Sequence, residues 1–249
     1  MEWSDEGFVL SARKHGETST IVTLLTRDHG RHLGLVRGGS GRRARGLYQP
    51  GNRLKATWRG RLAEHLGSFG CEMIEAVAAP LMGDPLRLAA LSSLCAVAEA
   101  ALPEREPHQP VFDALAVVLD VLGSADANVW QSVYVKWEIG LLQELGFGLD
   151  FSQCAATGSL DNLAFVSPRT GRAVSVEGAG PYRDKLLDLP AFMLSGNASA
   201  PSTDDILAGL RTTGYFLERH VFSGRREAKT PDARNRFADR LAGRTVTGV

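Results

Sequence analysis

The hydrophobic pattern of this 249-residue chain changes its period once, near residue 80. Before that point, apolar and β-branched residues form short runs between turn residues, which is typical of strands. After it, apolar residues recur every three to four positions, which is typical of helices that face a core. The chain is therefore predicted to have an α+β fold, with a β-rich domain at residues 1–80 and an α-helical domain at residues 81–249.

Five short strands are predicted in the first domain, at residues 7–10, 19–26, 31–37, 54–59 and 66 to about 74. Five strands within about 70 residues are typical of a small closed barrel, and an OB-fold is the predicted form. OB-folds bind single strands through basic and aromatic side chains. Between the third and fourth strands, the glycine- and arginine-rich residues 38–46 predict a flexible basic loop.

The second domain is predicted to contain helices that begin near residues 85, 111, 128, 203 and 231. Three aromatic residues on one face of the third helix indicate core packing more than ligand stacking. These residues are Trp130, Tyr134 and Trp137. A loop-rich insertion at about residues 151–182 contains two short apolar runs, 163–166 and 172–176, which predict a hairpin.

Charge is balanced overall but unevenly distributed along the chain. Between residues 27 and 61 there are ten basic residues and one acidic residue, and nine of the ten are arginine. Residues 81–180 hold 5 basic and 12 acidic residues, which gives them a net charge of −7. Positive charge concentrated in a strand-rich segment predicts contact with a polyanion, because arginine suits bidentate phosphate contacts. The alternative interpretation is a solvated basic face.

A nucleic-acid surface is accordingly predicted between residues 37 and 61. Tyr48 and Trp58 are the aromatic residues of this segment. Trp58 alternates in phase with Leu54 and Ala56, so core packing is the favoured interpretation and base stacking is the alternative. The candidate contacts are Arg37, Arg42, Arg43, Arg45, Arg53, Lys55, Arg59 and Arg61.

The sequence carries no recognisable signature of catalysis. The glycines near residue 40 lack the Lys-Ser/Thr pair of a phosphate-binding loop. His29 and His32 fall in a predicted turn without a nearby cysteine, and we interpret both as surface residues. Asp120, Glu138 and Glu144 are interpreted as solvated carboxylates rather than as a two-metal cluster. The chain is therefore predicted not to be an enzyme.

Three features bear on the location of the protein. The longest weakly polar stretch, residues 86–102, is interrupted by charged and hydroxyl side chains, and no apolar run reaches the roughly 20 residues of a membrane span. The first residues are acidic and lack the pattern of a signal peptide. Three scattered cysteines do not form a disulfide framework. We therefore expect a soluble cytoplasmic protein with no membrane partner.

Residues 7–19 read GFVLSARKHGETS, a G-x-V-L strand followed by a tight turn of the type R-x-x-G-E-x-S. This stretch resembles the opening of the bacterial RecO recombination mediators, and the similarity continues at residues 25–31, 37–38, 47–50 and 137–154. The resemblance implies an N-terminal OB-fold, a helical C-terminal domain and a nucleoid-associated role in DNA repair and homologous recombination. It further implies binding to single- and double-stranded DNA and annealing of complementary strands. With RecR, such proteins help load RecA onto DNA coated with single-strand-binding protein.

The chain departs from this family at one place. Many relatives carry four cysteines that form a zinc site in the loop after the central helix. Here the first pair is reduced to Cys154 and Thr157, and residues 167–180 contain no cysteine. Structural zinc needs about four thiolate or imidazole ligands. The insertion is therefore predicted to be a degenerate zinc-ribbon-like hairpin that binds neither zinc nor another cofactor.

The resemblance also implies contact with the C-terminal tail of single-strand-binding protein, which is acidic and ends in an aromatic residue. An apolar groove rimmed by cations would suit such a tail. Phe216 and Phe222 are close in sequence to four cations, so a partner surface is predicted there. A basic helix end favoured by the helix dipole is the alternative. The four cations are Arg219, Arg225, Arg226 and Lys229.

Two functions from other classes compete with this prediction. One is an RNA- or ribosome-associated OB-fold binding protein, and the other is a metal-dependent nucleic-acid enzyme. Substrate preference at matched salt and dependence on divalent metal would separate the three.

Overall fold

The computed structural model describes residues 1–194, 200–223 and 230–246. The chain divides into two compact units. The first consists of residues 1–123 with residues 231–237, and the second consists of residues 124–230 with residues 238–249. The boundary predicted at residue 80 remains a prediction.

The first unit contains a five-stranded barrel. Its elements are β1 (Glu2–His15), β2 (Ser19–Thr26), β3 (Gly30–Val36), the short helix α1 (Arg42–Leu47), β4 (Arg53–Arg59) and β5 (Ser68–Glu75). The strands close in the order β1-β2-β3-β5-β4, and β4 pairs back with β1. Neighbours are antiparallel except for β3 and β5, which pair in parallel at Leu35 and Ser68. The predicted five-stranded OB-fold barrel is confirmed.

Alternation along β4 builds the centre of the barrel. Leu54, Ala56 and Trp58 point inward with at most 1% of their surface exposed, while the residues between them point outward. The Trp58 indole nitrogen donates a hydrogen bond to the carbonyl oxygen of Leu66 at 3.1 Å. Core packing of Trp58 is therefore confirmed, and removal of such a ring costs about 3–5 kcal/mol.

Two predictions for the barrel were wrong. The first strand begins at Glu2 rather than at residue 7, because its polar N-terminal half pairs with β4. That half has few apolar residues, so its strand character was hidden in the sequence. Residues 38–46 are not a continuous loop, since α1 begins at Arg42. Arginine, alanine and leucine favour helix, and the flanking glycines concealed this short segment.

Two long helices pack against the outside of the barrel within the same unit. They are α2 (Pro85–Ala101) and α3 (Gln109–Ser124). The carboxylate of Glu99 accepts hydrogen bonds from the hydroxyls of Ser11 and Thr23 at 2.7 and 3.2 Å. The rings of Phe8 and Phe112 lie 5.0 Å apart. Helices therefore cover part of the outer surface of β1 and β2.

The connection between α2 and α3, residues 102–106, runs beside β3 and is called the strap. The amide of Arg105 donates to the carbonyl oxygen of Arg31 at 2.8 Å, and the Arg105 guanidinium reaches the carbonyl oxygen of Glu64 at 2.9 Å. Gly30 has a φ of +66°, and a β-carbon there would overlap the main chain of Glu106. The strap thus takes the place of a neighbouring strand beside the first half of β3.

The second unit is built on α4 (Ala127–Glu144), which packs against α6 (Thr203–Phe216). Trp130, Tyr134 and Trp137 are at most 3% exposed, which confirms the predicted core role. Glu138 is fully buried and accepts a hydrogen bond from the Thr213 hydroxyl, so its interpretation as a solvated carboxylate was wrong. It lies one turn after Tyr134 on the same face of α4, and burial follows from that position.

A small sheet follows α4. It consists of β6 (Leu163–Val166), β7 (Ala173–Ser175) and β8 (Leu187–Asp188) in the order β7-β6-β8, with α5 (Val176–Ala179) after β7. The predicted hairpin is confirmed, whereas β8 is too short to leave a pattern in the sequence. A π-helical turn (Leu217–Phe222) continues α6, and the last helix is α7 (Asp232–Val246). No helix within the described residues combines the length and hydropathy needed to cross a membrane.

Candidate nucleic-acid interface

The outer face of β4 carries three of the predicted contacts, and the structure sets them among carboxylates. The guanidinium of Arg53 lies 2.5 Å from a carboxylate oxygen of Glu6, and that of Arg59 lies 2.8 Å from one of Glu2. The hydrogen bond from Arg59 lowers the pKa of the Glu2 carboxyl. Lys55 stands in register with carboxylates on both neighbouring strands. The three basic and three acidic side chains of this face are Arg53, Lys55, Arg59, Glu2, Glu6 and Glu72.

A second group of candidates lies on a ridge formed by residues 37–47, called the α1 ridge. Its four arginines are exposed, and the structure gives them no ion pair with any residue it describes. They are Arg37, Arg42, Arg43 and Arg45. On the opposite side of the ridge, Ala44 and Leu47 pack against the barrel core. This short amphipathic helix therefore directs its cations to solvent.

Buried hydrogen bonds hold the α1 ridge in place. The side-chain amide of Asn52, which is 1% exposed, donates to the carbonyl oxygens of Gly46 and Leu47 at 3.0 and 3.1 Å. These are carbonyls at the end of α1 that lack partners within the helix. At the other end, the amide of Ser40 donates to the carbonyl oxygen of Thr18 at 3.2 Å. Asn52 carried no signal in the sequence, because its role depends on chain segments that meet only in the fold.

A groove lies on each side of α1. The first has a volume of about 870 Å³ and runs between α1 and the strands β3 and β5. Three arginines line it over a largely apolar floor that includes Leu47 and Met73, and Glu72 contributes the acidic side chain. The arginines are Arg37, Arg42 and Arg43. Its formal charge of +2 favours a polyanion.

The second groove has a volume of about 750 Å³ and lies between α1 and the turn that joins β1 to β2. Lys14, Arg45 and Glu17 line it, which gives it a formal charge of +1, together with the hydroxyl-bearing residues Ser11, Thr20 and Ser40. The sequence-based reasoning missed Lys14. Its position just before the β1–β2 turn, a loop that OB-folds use for ligands, was the available signal. Arg61 lies in the β4–β5 loop and lines neither groove.

The aromatic rings of the barrel are buried, except for Trp3, which is half-buried. Tyr48 is 5% exposed, and burial raises the pKa of its hydroxyl above the usual value. Trp3 stacks with His29, with ring centres 4.0 Å apart, and with Trp58, at 5.8 Å. The surface interpretation of His32 was wrong, since it is 4% exposed and burial lowers the pKa of its imidazole. His32 lies at a buried position of β3, whereas the sequence-based interpretation had assigned it to a turn.

The predicted partner surface near the C-terminus is described only in part. Arg219 donates hydrogen bonds to the carbonyl oxygen of Pro168 at 2.9 Å and to the Tyr215 hydroxyl at 2.8 Å. Phe216 and Phe222 are at most 2% exposed, so these rings line no open groove. Arg225, Arg226 and Lys229 lie outside the described residues. The surface remains a proposal that rests on the charge of these cations.

The degenerate hairpin brings together Cys154, Thr157, Ser175 and Gly178, which are spaced along the chain like two pairs of zinc ligands. The sulfur of Cys154 accepts hydrogen bonds from the amides of Ser175 and Thr157 at 3.2 and 3.4 Å. A β-carbon on Gly178 would lie 2.7 Å from the same sulfur. Burial raises the pKa of the Cys154 thiol, but a hydrogen bond from the Ser175 hydroxyl, together with those from the two amides, outweighs burial and lowers that pKa. One thiol, two hydroxyls and a glycine do not fit tetrahedral zinc.

We expect the protein to fold without zinc. Protein purified without chelator should contain well below one zinc per chain, and a chelator should leave its melting temperature unchanged, because amide hydrogen bonds occupy the one available sulfur. Elemental analysis and a thermal melt with and without chelator provide the measurement. Stoichiometric zinc, or a chelator-dependent loss of stability, would contradict this expectation.

Two family models match this chain, one in its N-terminal part and one in its C-terminal part. The family model described as "Recombination protein O N terminal" matches residues 1–76, and the one described as "Recombination protein O C terminal" matches residues 82–229. The chain belongs to the RecO family. The family predicted from residues 7–19 is thus confirmed.

Curated relatives in the RecO family match over their full length. The DNA repair protein RecO of Rhodospirillum centenum is 54% identical, over 100% of this chain and 98% of the relative. Those of Rhodospirillum rubrum and Caulobacter vibrioides are each 50% identical, over 97% of this chain and 96% and 98% of the relatives.

Proposed function

We propose that this chain is a mediator of DNA repair and homologous recombination. Membership of the RecO family, whose curated relatives are named DNA repair proteins, supports the general role. In the proposed mechanism the protein binds single- and double-stranded DNA and anneals complementary strands. With RecR it helps load RecA onto DNA that is coated with single-strand-binding protein. It would act at the nucleoid in the cytoplasm, and no covalent bond is made or broken.

The α1 ridge is the proposed DNA contact, and its unpaired arginines carry the proposal. A guanidinium already paired with a carboxylate offers less to a phosphate, since the carboxylate must be displaced or repelled. The arginines of β4 are in that situation, whereas those of the α1 ridge are not. Lys14 and Arg45 extend the same positive surface into the second groove. Lysine and arginine contacts to phosphates supply affinity without sequence preference, which suits a mediator that must act at any sequence.

Annealing of coated strands tests the proposal. Two complementary oligonucleotides, each saturated with single-strand-binding protein, should pair at least tenfold faster with the protein than without it. Chelation of divalent metal should leave the rate unchanged, which separates a mediator from a metal-dependent enzyme. Equal annealing rates with and without the protein would contradict the proposal. A clear preference for RNA over DNA at matched salt would instead favour an RNA-associated binding protein.

A further inference from the structure

We infer that the α1 ridge holds DNA by its phosphates alone and leaves the bases facing solvent. The inference rests on the proposed function and deepens it, because it states which part of the DNA the site recognises. Three observations carry it: the burial of aromatic rings, the cover over part of the barrel surface, and the chemistry of the two grooves.

Base stacking requires an aromatic ring with an open face. Residues 1–123 contain six such side chains of Phe, Trp or Tyr, and five of them are at most 6% exposed. The five are Phe8, Tyr48, Trp58, Phe69 and Phe112. The sixth, Trp3, is half-buried, stacks with His29 and Trp58, and makes edge contacts with His32 and Phe69. These rings are committed to the fold of the first unit, so they provide no stacking platform for a strand on the ridge.

Part of the outer surface of β1 and β2 is also covered by helices. Phe8 packs on Phe112 of α3, and Ser11 and Thr23 donate their hydroxyl hydrogens to Glu99 of α2. A base could reach this surface only if the helices separated from the barrel. Two regions remain open: the α1 side with its two grooves, and the outer face of β4 and β5, where a groove of about 570 Å³ holds Glu72 beside Lys55 and Arg59. DNA is directed to the α1 side, because the arginines of β4 are already paired with carboxylates.

The grooves offer donors for phosphate oxygens. Arg42 and Arg43 stand on one side of α1, while Lys14 and Arg45 stand on the other. Guanidinium and ammonium groups hydrogen-bond phosphate oxygens, which every nucleotide carries whatever its base. Such a site can bind single-stranded or double-stranded DNA.

Free base edges have a direct consequence for annealing. A strand held by its phosphates can pair with its complement while it is still bound, so pairing need not wait for release. The same contacts exist on a duplex, so the affinities for single- and double-stranded DNA at matched length and salt should be similar.

The test uses a 30-nucleotide strand in which every base is replaced by hydrogen, leaving the sugar-phosphate backbone. The full-length protein should bind it within about fivefold of an ordinary strand, because one stacked base alone would make the difference about 5- to 150-fold. His15 is the exposed ring at the β1–β2 turn, and His15→Ala should leave this ratio unchanged.

Arginine planes can also stack on bases, and a charge-conserving variant tests for that. The triple variant Arg42→Lys, Arg43→Lys and Arg45→Lys should lower the affinity for the abasic strand and for the ordinary strand by the same factor. An abasic strand bound more than about fivefold more weakly than the ordinary one would overturn the inference and leave the proposed function intact. So would a lysine variant that loses affinity for the ordinary strand only. If neither strand binds, the DNA site of the proposed function is itself wrong.

Discussion

Replacement of Arg42, Arg43 and Arg45 by alanine should lower the affinity for single-stranded DNA about 100-fold at 0.1 M salt. Each phosphate contact contributes about −0.7 to the slope of log K against log salt for a single strand. Loss of three contacts therefore makes the slope shallower by about 2, and that change corresponds to about 100-fold at 0.1 M. Fluorescence anisotropy titrations between 0.05 and about 0.3 M salt measure both quantities.

The matched control removes the same charge from the other face of the barrel. Arg53→Gln, Lys55→Gln and Arg59→Gln together should change the affinity less than about fivefold, because these side chains already stand among Glu2, Glu6 and Glu72. Equal losses in the two triple variants would mean that the whole barrel attracts DNA through its net charge. An unchanged slope in the α1 variant would exclude the ridge as the DNA contact.

Gly30→Ala should destabilise the protein by about 2–5 kcal/mol. An L-residue at a φ of +66° costs about 1–2 kcal/mol, and displacement of packed main chain adds a further 1–3 kcal/mol. The displaced segment is the strap at Glu106, so the variant tests how much the strap contributes to the stability of the first unit. Urea unfolding followed by tryptophan fluorescence measures the change, since Trp58 lies at the centre of the barrel.

Gly16→Ala separates the two contributions. Gly16 has a φ of +65°, almost that of Gly30, but a β-carbon there meets nothing within 4 Å. Its substitution should cost about 1–2 kcal/mol, which is the conformational part alone. If the two alanine variants lose equal stability, the strap does not press against Gly30, and its role in closing the edge of β3 is wrong.

The parts of the fold that the sequence predicted are those set by local periodicity. The alternation of Leu54, Ala56 and Trp58 in β4 and the helical repeat of Trp130 and Trp137 in α4 each specify one buried face. The hairpin at residues 163–166 was predicted in the same way. In each case the pattern lies within one element and requires no knowledge of its neighbours.

The features that were missed depend on partners far away in the sequence. Glu2 and Glu6 reveal nothing until β1 pairs with β4, and only then do they meet Arg59 and Arg53. Charge along the chain did not distinguish among the eight basic candidates. The fold places four of them on the α1 ridge and three among carboxylates on β4, and it leaves Arg61 in the β4–β5 loop. The burial of Glu138 is similar, because it depends on Thr213 of another helix.

The strap also sets an order of events during synthesis of the protein. Translation adds about 5–20 residues per second, so the roughly 30 residues between the end of β5 and Arg105 take a few seconds to make. During that interval the ribosome carries a nascent barrel in which the main chain of β3 near Gly30 has no neighbour on one side. Exposed strand edges pair readily with other chains. A ribosome that stalls before residue 106 would therefore release a fragment prone to aggregate, although all five strands had already been translated.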